Sequence, residues 1–260
     1  MSTSCVVTGG ARGIGRGIAE LMVRRGHRVV LSDLDGAAAR RTAAEIGAVA
    51  GVEQDVRDPG SHRELALLAA GHGSLTAWFN NAGVGWDGTL VELDEDRVRG
   101  LVETNLFGVL WGTRAALDAF GPAGGDVVIT ASLSGLGPVP GLSVYAATKA
   151  AVVSLAMSVN LEAPPGVRVH ALCPDGVATD LVAGMRQDGL ARQLIGSGGR
   201  LLGVQEVAAE AVALLGSRRV VRTLPGWRGA VMRGAALAPS QVHRGLAVFA
   251  AQGARAMRRT

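Results

Sequence analysis

Two residue types are almost missing from this chain of 260 residues: it holds one tyrosine, Tyr145, and one lysine, Lys149, against 25 arginines. Aromatic residues make up only 3%, and no aromatic–basic interleaving or nucleic-acid motif is present, so no nucleic acid is expected as a partner. Cysteine is nearly as scarce. Cys5 and Cys173 lie far apart in apolar runs, where cysteine acts as a small hydrophobe, which excludes a disulfide framework. The five histidines (27, 62, 72, 170 and 243) show no ligand spacing, so no metal is expected. No run of about 18 apolar residues occurs, and a membrane-spanning helix is not expected. Acidic residues stop at Glu210.

What is present points to a folded chain. AVILMFWYC residues make up 48%, charged residues 18%, and mean hydropathy is +0.28, which excludes a disordered polymer. The length suits one large domain rather than two. The formal net charge of +4 hides an asymmetry. Beyond Glu210 the chain carries nine arginines and no acid, whereas residues 1–210 carry 17 basic and 22 acidic side chains. Such a basic end can attract phosphate or anionic lipid, but more commonly forms a solvated or partner-facing surface. The first strand begins almost at once, at Ser4-Cys5-Val6-Val7-Thr8, leaving no room for a secretory leader. A cytoplasmic location is expected on that ground.

Short β-branched runs alternate with helical stretches. Strands are predicted at 4–8, 28–33, 48–53, 75–79, 126–131, 167–172 and 219–224, and helices at 13–25, 36–46, 61–70, 94–119, 143–162 and 204–215. Alternation of this kind predicts an α/β fold: a Rossmann-like, doubly wound, seven-stranded parallel sheet with helices on both faces. Residues 1–225 form the main domain in this reading. Within it, the Gly-rich stretch 176–203 suits a mobile lid. Residues 226–260 form a basic helical extension of the same domain. There Ser240 is expected to cap a helix with Val242, Leu246, Phe249, Gly253 and Met257 along one packing face.

The first strand runs into Thr8-Gly9-Gly10-Ala11-Arg12-Gly13-Ile14-Gly15 and then a helix. Glycines at 9, 13 and 15 permit a tight turn, close backbone approach and close helix packing, and the helix N-terminus then faces a pyrophosphate with free N–H groups. The second strand ends at Asp33, where a carboxylate accepts bonds from ribose hydroxyls and repels a 2′-phosphate. That favours NAD; Arg12, inside the loop, speaks for NADP, while Leu34 offers no second phosphate ligand. Tyr145 and Lys149 stand at i and i+4 and share one helix face. A phenol with a pKa of about 10 is a poor base at neutral pH, and an ammonium beside it, with a cationic nicotinamide ring, favours the phenolate. The pair suits proton transfer to or from an alcohol or ketone. In a chain that uses arginine nearly everywhere, the one lysine marks a place where a compact, titratable charge is needed.

Taken together, the motifs Thr8-Gly9-x-x-x-Gly13-x-Gly15, Asp55-Val56, Asn80-Asn81-Ala82-Gly83, Asn105-Leu-Phe-Gly108, Ser132 and Tyr145-x-x-x-Lys149 make the chain resemble the short-chain dehydrogenase/reductase family, in its compact branch, over residues 4–224. The resemblance implies an NAD(P)-dependent oxidoreductase acting on CH–OH groups, with Asn105, Ser132, Tyr145 and Lys149 as the catalytic set. Tyr145 would be the general acid/base, and Lys149 would bind ribose hydroxyls and lower the phenol pKa. Ser132, at family spacing to Tyr145 where Ser134 is not, would bond the substrate oxygen. Asn105 would interrupt the long helix and hold a water beside Lys149. Gly9, Arg12, Gly13, Ile14, Gly15, Asp33, Asp55, Val56, Asn80, Asn81, Ala82, Gly83, Pro174, Val177 and Thr179 would line the cofactor. Trp86, Leu133, Leu142, Asp175, Leu181 and Met185 would form an apolar pocket for a hydrophobic secondary alcohol or ketone.

Two departures stand out. Asp175 occupies the family's usual Gly position in Cys173-Pro174-Asp175-Gly176. It is either part of an Asp-Gly turn or a carboxylate placed to stabilise an oxidised nicotinamide. The C-terminus lacks the usual short ending, so a homodimer through helices 94–119 and 143–162 is expected before a homotetramer. The competing reading is a non-catalytic NAD sensor or scaffold recruited through the basic tail.

Overall fold

The computed structural model describes residues 2–257; the side chains of His243, Arg244, Leu246, Ala247 and Met257 lie outside that description. Seven parallel strands form one sheet in the order β3-β2-β1-β4-β5-β6-β7. They are β1 (Thr3–Thr8), β2 (Arg28–Asp33), β3 (Ala50–Glu53), β4 (Ser74–Asn80), β5 (Gly125–Thr130), β6 (Val167–Pro174) and β7 (Val221–Leu224). The winding reverses between β1 and β4, which opens a crevice at the C-terminal ends of those strands. Central strands such as Val127-Val128-Ile129 are buried on both faces, as a helix-covered parallel sheet requires.

On one face lie α1 (Gly13–Arg24), α2 (Gly36–Ile46) and α9 (Val204–Ala213), packed through Ile18, Met22, Ala39 and Val207 onto Leu31 and Phe79. On the other lie α3 (Pro59–His72), α4 (Glu95–Val102), α5 (Gly108–Ala119) and α6 (Ser143–Glu162), where Leu65, Val109 and Val152 surround Trp78 and Ile129. Helix starts follow local chemistry. Asp35 accepts from the Ala38 N–H at 2.9 Å, and Asp94 from the Arg97 N–H at 2.8 Å. α3 begins at Pro59, earlier than the predicted 61, because Asp58 caps it and proline suits the first helical position. β3 starts at Ala50 rather than 48, since Gly47 closes α2 in the left-handed conformation and Ala48 N–H still bonds Ala43.

The predicted helix 94–119 is split by a π-turn, Glu103–Phe107, with Asn105 buried at its centre. The segment 176–203 holds two short helices, α7 (Asp180–Ala183) and α8 (Leu190–Gly196). The extension forms α10 (Gly226–Leu237) and α11 (Pro239–Met257). α11 opens at Pro239, one residue before the Ser240 expected to cap it. It crosses α8 so closely at Gly253 that a Cβ there would overlap the Gln193 carbonyl. The extension therefore packs against the outer side of the segment 176–203. Of its predicted packing stripe, Leu246 and Met257 lie outside the described side chains. Among the described helices one, α6, is long and apolar enough to cross a membrane by length and composition alone. In this fold it carries the buried Lys149 and packs Val152, Val153 and Ala156 into the core.

Candidate active site

The loop after β1 is shaped by glycine. Gly9 and Gly13 take φ of 61° and 55°, and a Cβ on Gly15 would collide with the Gly9 carbonyl. The first turn of α1 begins at Gly13 with no side-chain cap from Arg12, leaving its N–H groups free toward the crevice. Thr8 and Asn81 rivet this loop to β4. The Thr8 hydroxyl accepts from the N–H groups of Asn81 and Ala82, each at 3.1 Å. The Asn81 carboxamide donates to the carbonyls of Thr8 and Gly9 at 3.2 and 3.1 Å and accepts from the Thr130 hydroxyl at 3.2 Å.

Asn80 departs from the expectation that it lines the cofactor. It faces the other way along the strand, accepting from Trp78 Nε1 at 2.9 Å and donating to Thr113 Oγ1 at 3.0 Å inside the core. Asp33 stands at the crevice edge, where one oxygen accepts from the Ala11 N–H at 3.2 Å. Arg12 reaches across the crevice to Asp180 of α7, 3.0 Å away, as an exposed pair. Asp55 is held below the usual carboxylate range by the Arg57 guanidinium. Val56 is buried, and its carbonyl takes a bond from His62 Nε2 at 2.8 Å.

At the opposite end of the crevice, β5 delivers Ser132 and the start of α6 delivers Tyr145 and Lys149. Ser132 Oγ accepts from the Ser134 N–H at 3.1 Å and so caps the 3-10 turn Leu133–Leu136. With its oxygen engaged, its proton is left to donate outward. Lys149 is buried; its Nζ donates to the Thr130 carbonyl at 2.8 Å and lies 5.6 Å from the Tyr145 ring centre. The π-turn aims Asn105 at the same place. Its amide takes the Val84 N–H and holds the Val84 carbonyl, both at 2.9 Å, and a Cβ on Gly83 would come 3.2 Å from Asn105 Oδ1 and 3.7 Å from Lys149 Nζ.

Burial pushes the Tyr145 phenol up to about 12, against the pull of the Ser132 hydroxyl. The same burial brings the Lys149 ammonium down to about 8. The lowered phenol pKa expected from Lys149 is thus not produced by the chain alone, because desolvation outweighs its neighbours.

One crevice of about 860 Å³ connects these groups. Along it stand Gly9, Arg12, Gly13, Ile14, Asp33, Asp55, Val56, Asn81, Ala82, Gly83, Pro174, Val177 and Thr179, together with Trp86, Leu142, Asp175, Leu181 and Met185. Gly15 lies behind the loop, as its contact with the Gly9 carbonyl requires. Leu133, expected in the substrate pocket, does not line this crevice; it packs in the core and lines a neighbouring cavity.

Asp175 does not present a free charge to the crevice. Arg228 of α10 pairs with it at 2.8 Å, both side chains 9% exposed. Arg228 also donates to Ser197 Oγ at 2.8 Å and to the Leu194 carbonyl at 3.2 Å. The idea that Asp175 stabilises an oxidised nicotinamide gives way to a buried ion pair that ties β6, α8 and the extension together. Arg228 was not singled out from the sequence. Its signal was the coincidence of an unusual acid at 175 with an acid-free, arginine-rich tail.

The family model for short chain dehydrogenase matches residues 3–189. The chain belongs to the short-chain dehydrogenase/reductase family. It is 36% identical over 200 residues to a cis-2,3-dihydrobiphenyl-2,3-diol dehydrogenase of Pseudomonas sp., covering 74% of this chain and 72% of that protein. A short chain dehydrogenase/reductase from Burkholderia phymatum, solved in complex with NAD, superposes with a TM-score of 0.79 at 27% identity over 93% of this chain and 94% of that one. An alcohol dehydrogenase from Thermococcus sibiricus, complexed with 5-hydroxy-NADP, gives 0.70 at 26% identity over 85% and 95%. As a short-chain dehydrogenase/reductase, the protein is a Rossmann-fold oxidoreductase of CH–OH groups that uses a nicotinamide dinucleotide. The chain's own residues fit that cofactor: a cradle that a Cβ would fill, free helix N–H groups for the pyrophosphate and a carboxylate at the end of β2.

Proposed function

We propose that this dehydrogenase interconverts a hydrophobic secondary alcohol and its ketone, with NAD preferred over NADP. One observation carries the reading: Ser132, Tyr145 and Lys149 meet at one end of a crevice whose other end is the glycine loop and Asp33. When bound, a nicotinamide dinucleotide supplies hydride exchange at the substrate carbon and, when oxidised, a positive charge. Tyr145 Oη takes the alcohol proton during oxidation and returns it during reduction. Ser132, its oxygen already engaged by the Ser134 N–H, donates its proton to the substrate oxygen and fixes it beside the phenol. Lys149 is anchored to the Thr130 carbonyl, which leaves the rest of its ammonium for ribose hydroxyls and for the field at Tyr145. Asn105 positions the 83–84 turn against Lys149.

The NAD preference rests on Asp33 and on Arg12, whose guanidinium is engaged with Asp180 instead of facing a 2′-phosphate. The pocket around Leu142, Leu181 and Met185 is apolar, which favours a hydrophobic substrate. Phe107, Met157 and Leu161 stand exposed on the π-turn and α6, and support a homodimer through these helices.

Initial rates against a panel of hydrophobic alcohols and ketones test the reading. The expected result is turnover with kcat/KM at least about tenfold higher with NAD, a discrimination of about 1.4 kcal/mol. A preference for NADP overturns the role given to Asp33, and no turnover with either cofactor overturns the activity.

A further inference from the structure

Behind the substrate end of the crevice lies a second cavity, of about 260 Å³. Its walls come from four places in the chain: the loop after β5, Asp175 after β6, the α8 segment, and both helices of the extension. Leu133, Val139, Leu194, Met232, Val242 and Phe249 make it apolar. Its charged members, Asp175 and Arg228, are spent on each other and on Ser197. Its remaining polar side chains among the described residues, Ser134 and Gln241, are uncharged. A cavity of about 150 Å³ lined by Leu, Ile and Phe already binds benzene, so this one has room for a substantial apolar group.

Its position is as telling as its lining. Ser134, Asp175 and Ile195 border both the crevice and the cavity. The partition is thin, and Ser134 sits one short turn from Ser132. A flexible chain leaving the reacting carbon beside Ser132 and Tyr145 would enter the cavity past Ser134 and Ile195, which border both. Such an arm would end against α10 and α11, which follow the last strand.

We propose that this cavity receives an uncharged aliphatic arm on the substrate's carbinol or carbonyl carbon, and that the C-terminal extension thereby sets substrate length. The proposal rests on the activity assigned above and adds a substrate class to it. Burying a methylene on the way into the cavity raises kcat/KM by about fourfold. A rigid pocket ending at α10 and α11 stops that rise where the space is filled.

The test is a series of methyl ketones from butanone to dodecanone, assayed with NADH on the wild-type protein and on two variants that fill the cavity from separate helices, Ala235→Leu and Gly245→Leu. Leucine is at home in a helix at both positions, and among the described residues a Cβ on Gly245 meets only the Phe249 ring, at 3.5 Å. Wild-type kcat/KM should climb about fourfold per methylene and then level off. Each variant should match wild type on butanone and fall at least about tenfold behind on decanone, as the loss of two buried methylenes gives. A flat wild-type series with good turnover overturns the cavity's role and leaves the activity standing, as does an equal loss on short and long ketones. Thermal stabilisation by decanone gives an independent readout. If no ketone turns over but decanone still stabilises the wild type and not the variants, the cavity stands as an aliphatic site and the assigned activity falls.

Discussion

Removing one member of the Asp175–Arg228 pair should destabilise the protein more than removing both. The side chains meet at 2.8 Å, each 9% exposed, and the guanidinium holds Ser197 and the Leu194 carbonyl as well. Breaking such a pair costs about 3–5 kcal/mol, because the survivor stays buried without a counter-charge. In a chain of this size each kcal/mol moves Tm by about 2–4 °C, so the singles should melt about 6–20 °C lower.

The two singles differ in kind. Asp175→Asn strands a guanidinium that cannot give up its proton, whereas Arg228→Met strands a carboxyl that can take one up. Burial already raises the Asp175 pKa, and Arg228 opposes that rise. Without Arg228 the folded-state pKa climbs further above its unfolded value. The Arg228→Met protein therefore keeps its stability at pH values below the ordinary carboxyl pKa of about 4 and loses it as pH rises through the raised value. Asp175→Asn lacks this dependence on residue 175. The double variant, with neither charge buried, should return to within about 2 kcal/mol of wild type. Urea unfolding of all four proteins at acid and mildly alkaline pH decides the matter. Singles within about 1 kcal/mol of wild type, or a double that simply adds them, would refute the argument.

Three other consequences are open to measurement. Lys149→Arg keeps the charge but not its compactness or titration, and kcat should drop at least about 100-fold with folding intact by circular dichroism. Because burial lowers Lys149 from 10.5 to about 8, the unfolded chain binds more protons between those values. Wild-type stability should thus rise across that window relative to Lys149→Met, by at most about 3 kcal/mol, in denaturant titrations at stepped pH. Asn105→Ala leaves the Val84 N–H and carbonyl without partners, and chemical unfolding should register a loss of about 1–3 kcal/mol per group.

Most of the fold was legible because parallel sheets announce themselves. Runs such as Val127-Val128-Ile129 are buried on both faces, and helices between them are capped by Asp35, Asp58 and Asp94. The glycine loop was legible for a related reason: positive φ at Gly9 and Gly13 leaves few other residue choices. What escaped was set by tertiary contact. The direction of Asn80 depends on which side of β4 meets Thr113, and that of Leu133 on how the turn after β5 settles into the core. The pairing of Asp175 with Arg228 spans 53 positions and rests on the packing of α10, which no local pattern encodes. For the Tyr145 phenol, spacing reveals the nearby ammonium but not the burial, which raises its pKa in the chain by itself.

The central claim is that the one tyrosine moves the proton. Single-turnover reduction of a hydrophobic ketone by Tyr145→Phe, with NADH binding followed in parallel by fluorescence, tests it most directly. The predicted result is a rate at least about 100-fold below wild type, in keeping with the usual worth of a general acid. NADH affinity should stay within about twofold, since at neutral pH the substitution removes a hydroxyl and no charge. A variant that turns over at near wild-type rate with cofactor affinity intact would contradict the account.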